Sequence, residues 1–267
     1  MAALTLDSVS LTYPGDEHPA VTDLSLTIKE GEFMAVVGPS GCGKSSTIGL
    51  LAGLTAPTSG RIYLNGLPIR GPGPDRAIVF QDYSLFPWMT ALDNIVFALK
   101  ESGRASGLSA EQEAHHLLSM VGLSSVRSKY PGELSGGMRQ RVAIARAFAL
   151  DAPVYLMDEP FGAVDAKNRV SLQELLLQLW VGAGKKKTVF LVTHDIDEAL
   201  YLADHIAVFT PGPGRIKKII EVPFPRPRRR FLLVQDPLYT GLRNEILSLL
   251  QQEILEELLE VEGGSGI

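Results

Sequence analysis

The sequence predicts an α/β fold: a core built on a mostly parallel sheet, an N-terminal antiparallel β subdomain and an inserted helical subdomain. Three observations point to it. Val154–Met157, Val189–Val192 and Ile206–Phe209 are short unbroken apolar runs, the pattern of strands buried on both faces of a parallel sheet. Leu24, Leu26 and Ile28 alternate with Ser25 and Thr27, the period of a sheet with one wet face. From Thr90 to about Leu150 the apolar spacing becomes helical.

The elements follow in order. Leu4 to about Ile28 reads as strands joined by a turn at Pro14-Gly15-Asp16, and Ser59–Leu64 as a strand closed by an Asn65-Gly66 turn. Phe33–Val37 is a buried strand, and a helix follows Lys44. In the helical stretch, Thr90 with Asp93 and Ser109 with Gln112 match capping boxes, and Gly122 is a helix stop. Arg215–Val222 reads as the second arm of a hairpin after Pro211-Gly212-Pro213-Gly214. Pro223–Arg230 has the composition of an extended, solvated linker, whose Arg228–Arg230 run offers charge to lipid headgroups as the alternative. Beyond it, Leu238, Leu242, Ile246, Leu249, Leu250, Ile254 and Leu258 keep helical spacing among glutamates, and this helix is expected to pack on the core, with pairing to a copy of itself as the alternative. The domain boundaries are then 1–222 for the core, with the helical insert at about 88–150, 223–236 for the linker, 237–262 for the last helix and 263–267 for a disordered tail.

The chain has 267 residues and a net charge of −5. That suits one large α/β domain, or a core with a smaller lobe, and disfavours a nucleic-acid partner. A single cysteine, Cys42, allows no internal disulfide. The N-terminus lacks a basic stretch followed by an apolar core, and no apolar run approaches the roughly 18 residues that cross a bilayer. A soluble protein, or one held at a membrane through a partner, is expected.

The chemistry-bearing residues fall at strand ends. Gly38-Pro39-Ser40-Gly41-Cys42-Gly43-Lys44-Ser45 is a complete G-x-x-x-x-G-K-[ST] loop between a strand and a helix. There, backbone N–H groups and the helix N-terminus converge on a phosphate chain. Lys44 reaches β- and γ-phosphates, and the Ser45 hydroxyl suits a Mg²⁺ ion. Asp158 and Glu159 leave the strand Val154–Met157 on opposite sides. Asp158 suits the metal's water shell and Glu159 a general base. His194 ends the strand Val189–Val192, at the carboxyl edge where open α/β sheets bind ligands, and suits a donor to the γ-phosphate. Gln81 follows the apolar run Ala77–Phe80 and offers an amide to Mg²⁺ or water. Ser135-Gly136-Gly137 precedes a second helix, a second anion-binding terminus. Cys42 reads as a small filler, although the loop's N–H groups and Lys44 favour a thiolate there.

Together, Gly38–Ser45, Gln81, Leu134–Gly137, Val154–Glu159, Asp165 and His194, with Tyr13, resemble the ATP-binding cassette (ABC) family over about residues 1–222. The resemblance implies a P-loop NTPase core, the ABC ATPase fold, and the cofactors ATP and Mg²⁺. It places Tyr13 against adenine, Gly38–Ser45 with Ser46 around the phosphates, and Ser45, Gln81 and Asp158 at the metal. Lys44, Gln81, Glu159 and His194 are then the catalytic set. A head-to-tail dimer is implied, homodimer or heterodimer with a paralogue, sandwiching two ATP. In it Ser135, Gly136 and Gly137 face the phosphate loop of the other subunit, and Asp165 lies in the loop crossing the interface. Further implied partners are membrane permease subunits and, indirectly, a solute-binding protein, with the chain peripheral at the cytoplasmic face of the inner membrane.

Phe80–Trp88 and Asp158–Asp165 resemble the branch importing nitrate, sulfonate, taurine or bicarbonate. The alternative is a soluble cassette ATPase of repair, translation or cofactor assembly. The short interval from Lys44 to Ser135 leaves no room for the coiled coil of repair-type members. Phe86, Pro87 and Trp88 either receive a helix of the membrane partner or pack in the helical lobe. Two departures from the family stand out: Met138 replaces a usual Gln, and Gly162 a common Ser.

Overall fold

The computed structural model describes residues 2–103, 107–162, 164–182 and 187–264. The chain divides into two units, Met1–Pro72 with Phe190–Ile267, and Gly73–Val189.

The first unit opens with an antiparallel sheet of β1 (Ala2–Leu11), β2 (Val21–Lys29), β4 (Ser59–Leu64) and β5 (Leu67–Pro68), in the order β2-β1-β4-β5. Along β2, Leu24, Leu26 and Ile28 are buried while Ser25 and Thr27 are exposed, as the alternation requires. Asn65 and Gly66 take φ of 50° and 80° between β4 and β5, the left-handed pair that a two-residue hairpin loop needs. Its second element is β3 (Phe33–Val37), buried at all five positions and parallel to β9 (His205–Phe209). β10 (Ile216–Glu221) pairs antiparallel on β9 as the hairpin arm. Helix α1 (Lys44–Ala52) leaves the end of β3.

In the second unit β6 (Arg76–Val79) and β7 (Val154–Asp158) run parallel, with Val79 opposite Met157. The larger sheet has the order β10-β9-β3-β8-β7-β6, and the division between the units falls inside β8 (Thr188–Val192). The second unit also carries the helices α2 (Ala91–Glu101), α3 (Leu108–Met120), α4 (Gly136–Ala149) and α5 (Ala166–Gly182). Ile95, Leu99, Leu118, Val142 and Ile144 are buried, and Phe148 of α4 stacks on Tyr155 of β7 with ring centroids 4.4 Å apart.

The Thr90–Asp93 capping box forms in both directions. The Ser109–Gln112 box does not. α3 starts at Leu108 on Gly107, whose φ of 58° turns the chain into the helix earlier. Ser109 therefore lies inside the first turn, where a serine no longer has cap geometry. Gly122, with φ of 71°, ends α3 as expected.

The Pro/Arg segment departs from a solvated linker. Arg228 is 7% exposed, and its guanidinium is spent on main-chain carbonyls, so it is withheld from lipid. Carbonyl oxygens at a helix end need donors, and a five-donor fork satisfies several at once. Two helices follow, α7 (Arg230–Leu233) and α8 (Pro237–Gly264). Tyr239 and Ile246 of α8 are buried, and the helix contacts β9 and α6 (Ile196–Leu202), so it packs on the body of its own unit. Gly263 and Gly264 belong to α8 rather than to a tail, since a glycine at a helix end weakens the last turn without forbidding it; residues 265–267 lie outside the described residues.

Candidate active site

The loop between β3 and α1 is shaped by close approach. A Cβ on Gly43 would stand 2.3 Å from Val21 Cγ1 and 2.6 Å from the Ala20 carbonyl oxygen, and Gly43 has φ of 83°. A Cβ on Gly38 would meet Cys42 Sγ at 2.7 Å and Phe209 Cβ at 3.0 Å. Only hydrogen fits at either position. Lys44, 7% exposed, turns into this loop. Its Nζ donates to the carbonyls of Gly38 at 2.9 Å and Pro39 at 2.7 Å. A cation thus sits inside the glycine loop, held by two of its carbonyls.

Cys42 is fully buried, and burial pushes its thiol up against the opposing pull of Lys44. Desolvation outweighs the cation, so this thiol is a filler and not a thiolate. Tyr13 is 37% exposed, and its hydroxyl donates to Ser46 Oγ at 3.2 Å, which lays the side chain over the first turn of α1. Ser45 is exposed beside it.

His194 belongs to the same unit. The Thr193 N–H donates to the Val36 carbonyl at 3.1 Å, so β8 leaves the sheet beside the strand that opens the glycine loop. His194, the next residue, is exposed there. Thr193 Oγ1 donates to the Glu198 carboxylate and accepts the Asp195 N–H at 3.0 Å. Asp195 in turn caps α6 by accepting the Glu198 N–H at 3.0 Å.

The second unit holds Gln81, Ser135–Gly137, Asp158, Glu159 and Asp165. Because β6 and β7 are parallel neighbours in register, Gln81 and the pair Asp158–Glu159 leave adjacent strands at the same carboxyl edge. Glu159 takes φ of 45°, a left-handed conformation unusual for a glutamate. Ser135 caps α4, accepting the Met138 N–H at 3.3 Å. Gly136 and Gly137 are the first two residues of α4 rather than a turn before it. Asp165 accepts the Asn168 N–H at 3.1 Å and its side-chain amide at 2.6 Å, at the start of α5. These bonds hold its carboxyl below the ordinary range. At Gly162 a Cβ would make ordinary 3.5 Å contacts with Glu159, so the backbone there does not demand glycine.

Two residues escaped the sequence reading. Asn94 of α2, 0% exposed, accepts the Phe86 N–H at 3.0 Å and donates to the carbonyls of Phe86, Met89 and Thr90. Arg146 of α4 donates to the carbonyls of Ser84 at 2.7 Å and Tyr83 at 3.2 Å. Tyr83 and Ser84 have φ of 69° and 43°, so this pair holds a loop that local sterics disfavour. The available signal was a polar side chain on the apolar face of α2, between Ala91 and Ala98. The aromatic corner divides its two readings. Phe86 packs edge-on against Phe97 with ring centroids 5.0 Å apart, while Trp88 is 69% exposed.

The oxygen donors expected at the metal are a hydroxyl, an amide and a carboxylate, from Ser45, Gln81 and Asp158. That hard, sparse set suits Mg²⁺ shared with phosphate oxygens, as opposed to an all-protein cage. Among the described residues no cluster of three His, Cys, Asp or Glu offers such a cage.

A strand, a sterically compressed glycine loop and a helix opening on a buried lysine define a phosphate-loop nucleotide-binding protein. The ABC transporter family model matches residues 21–162. The chain is 46% identical over 258 residues to the nitrate import ATP-binding protein NrtD of Synechococcus elongatus, covering 95% of this chain and 93% of that protein. It is 46% identical over 252 residues to the taurine import ATP-binding protein TauB of Chromobacterium violaceum, covering 93% and 95%. To the bicarbonate transport ATP-binding protein CmpD of Synechocystis it is 46% identical over 254 residues, covering 93% and 89%. Among solved structures, a dimeric ATP-binding cassette in a post-hydrolysis state with ADP and Pi superposes with a TM-score of 0.74 at 33% identity, covering 83% of this chain and 99% of that one. The chain belongs to the ABC transporter family, as an ATP-binding subunit with the ABC ATPase fold. No helix among the described residues is long and apolar enough to cross a membrane.

Proposed function

We propose that this chain is the ATP-hydrolysing subunit of an importer for a small anion, of the nitrate, sulfonate, taurine or bicarbonate kind. It works as a dimer at the cytoplasmic face of a membrane, bound to permease subunits and through them served by a solute-binding protein. The observation that supports this reading best is the compressed glycine loop around buried Lys44, in a chain 46% identical to nitrate, taurine and bicarbonate ATP-binding proteins. Family membership and these relatives favour it over a soluble cassette ATPase uncoupled from transport.

In this reading Lys44 moves from the Gly38 and Pro39 carbonyls onto the β- and γ-phosphates, exchanging two neutral acceptors for a triphosphate. Tyr13 stacks on adenine. Ser45, Gln81 and Asp158 would hold Mg²⁺, which would neutralise charge on the phosphate oxygens. The Glu159 carboxylate takes a proton from the attacking water as its oxygen bonds to the γ-phosphorus and the bridging oxygen leaves with ADP. His194 donates to a γ-phosphoryl oxygen. Ser135, Gly136 and Gly137 of each subunit approach the γ-phosphate held by the other, and Asp165 lies in the loop crossing between them. Trp88, exposed beside the loop after β6, faces the permease.

The site is tested by Glu159→Gln, which lowers turnover about a hundredfold or more while ATP-dependent dimerisation survives. Undiminished turnover removes Glu159 from the base role. The importer assignment is tested by purifying the tagged chain from membranes and by measuring nitrate, taurine and bicarbonate uptake in cells lacking it. Co-purifying permease subunits and loss of one uptake are expected. No membrane partner and no uptake defect would turn the reading to the soluble alternative.

A further inference from the structure

Helix α6 is seven residues long and begins two residues after His194. A helix this short has almost no stability of its own, so its position is set by the packing of its six buried residues and by the groups that hold its ends. Both ends are held by the segment that follows β10. At the C-terminal end, Arg228 Nη1 donates to the carbonyls of Leu200 at 3.1 Å, Tyr201 at 3.0 Å and Ala203 at 2.7 Å. The rest of its guanidinium donates to Val222 at 3.3 Å and Phe224 at 3.2 Å. Arg226 donates to the Leu202 carbonyl and pairs with Asp204 at 2.8 Å. These are the carbonyls a helix leaves without internal partners, and cations there also oppose the negative end of its dipole. In the first turn, Asp197 Oδ1 accepts from the Tyr239 hydroxyl at 2.7 Å and from Arg243 Nε at 2.8 Å.

We propose that Arg226, Arg228, Tyr239 and Arg243 are positioning residues for His194: they clamp both ends of α6, and α6 fixes the turn that carries the imidazole. The link is covalent and short. Glu198 of α6 accepts from Thr193 Oγ1, and Asp195 caps α6, so residues on both sides of His194 are tied to the helix. The clamp is charged at neutral pH. Burial and the neighbouring Arg226 lower the Arg228 guanidinium only to about 10. Asp197 raises the Arg243 guanidinium through its hydrogen bond, and burial followed by that same carboxylate pushes up the Tyr239 phenol. What the sequence presents as a Pro/Arg linker and a terminal helix thus becomes part of the catalytic half of the first unit. The inference rests on the role proposed above for His194.

The test uses the full chain with Tyr239→Phe and Asp197→Asn. Tyr239→Phe removes one hydroxyl at the wall of a cavity of about 480 Å³ and leaves the ring in place. The expected result is a kcat for ATP lowered about tenfold with KM unchanged, because a displaced group costs rate more than binding. The His194 imidazole resonances, assigned by their loss in His194→Ala, should move in both variants. Arg243→Lys, which keeps a cation on Asp197, should recover part of the rate that Arg243→Ala loses. In the His194→Ala background Tyr239→Phe should cost nothing further. Unmoved imidazole resonances, or a loss of equal size without His194, would overturn the proposal. A His194→Ala chain that turns over at the wild-type rate would instead sink the role given to His194 in hydrolysis, and the imidazole resonances would still decide whether the clamp sets that side chain.

Discussion

At the start of α1, Gly43 is confined by the chain's own atoms; at the start of α4, Gly137 is not. A Cβ on Gly43 would overlap Val21 and the Ala20 carbonyl, whereas one on Gly137 would meet only Val164 Cγ1 at an ordinary 3.6 Å. Gly43 also has positive φ, while Gly137 lies in the first turn of a regular helix that Ser135 already caps. The first glycine is explained by folding alone. The second is not: an alanine there would be sterically acceptable and better for the helix. The proposed approach of a second subunit's nucleotide to this helix start would give that glycine a purpose that folding does not.

Substitutions that separate folding from assembly sharpen this contrast. Gly43→Ala should have the largest effect, about 3 kcal/mol or more of lost stability from strain and overlap, with ATP binding abolished. Thermal unfolding and nucleotide titration measure it, and a normal melting curve would break the contrast at once. Next, Ser135→Arg in one subunit of a mixed dimer should disable the site built on the other subunit's Lys44. The site built on the mutated subunit's own Lys44, facing an intact Ser135, should keep its nucleotide. Equal loss at both sites would argue that the two helix starts do not cross-pair. Gly137→Ala should keep or raise stability by up to about 1 kcal/mol, yet reduce turnover in the dimer. Turnover at the wild-type level would mean that nothing passes close to that Cβ.

The smallest effect concerns Asp165. Its hydrogen bonds to Asn168 hold the folded carboxyl below its unfolded value of about 3.9. The sign follows from linkage: the stabilisation is fully present above the unfolded value and is lost as pH falls through the folded one. Asp165→Asn keeps an uncharged cap, so the two chains should differ slightly at neutral pH and converge in acid. Unfolding midpoints across an acid titration would show it; a gap that widens in acid contradicts the assignment.

Much of this was legible locally. Apolar runs, the alternation of β2, the Asn65-Gly66 turn, the Thr90 cap and the glycine loop each depend on neighbours a few residues away. Ser109 failed because Gly107 offered an earlier start that spacing alone does not weigh. Arg228 was illegible for a different reason. A run of prolines and arginines reads as solvated, and its burial depends on carbonyls of Leu200, Tyr201 and Ala203, which lie 25 to 28 positions earlier. Asn94 is the intermediate case: its place on an apolar helix face was visible, but its three carbonyl acceptors were not.

Arg146 carries one last consequence. It fastens the Tyr83–Ser84 corner to the far end of α4, a 14-residue rod about 21 Å long whose opposite tip is Ser135. Two bonds from a single guanidinium thus tie the loop that leads to exposed Trp88 to the helix that begins beside Ser135.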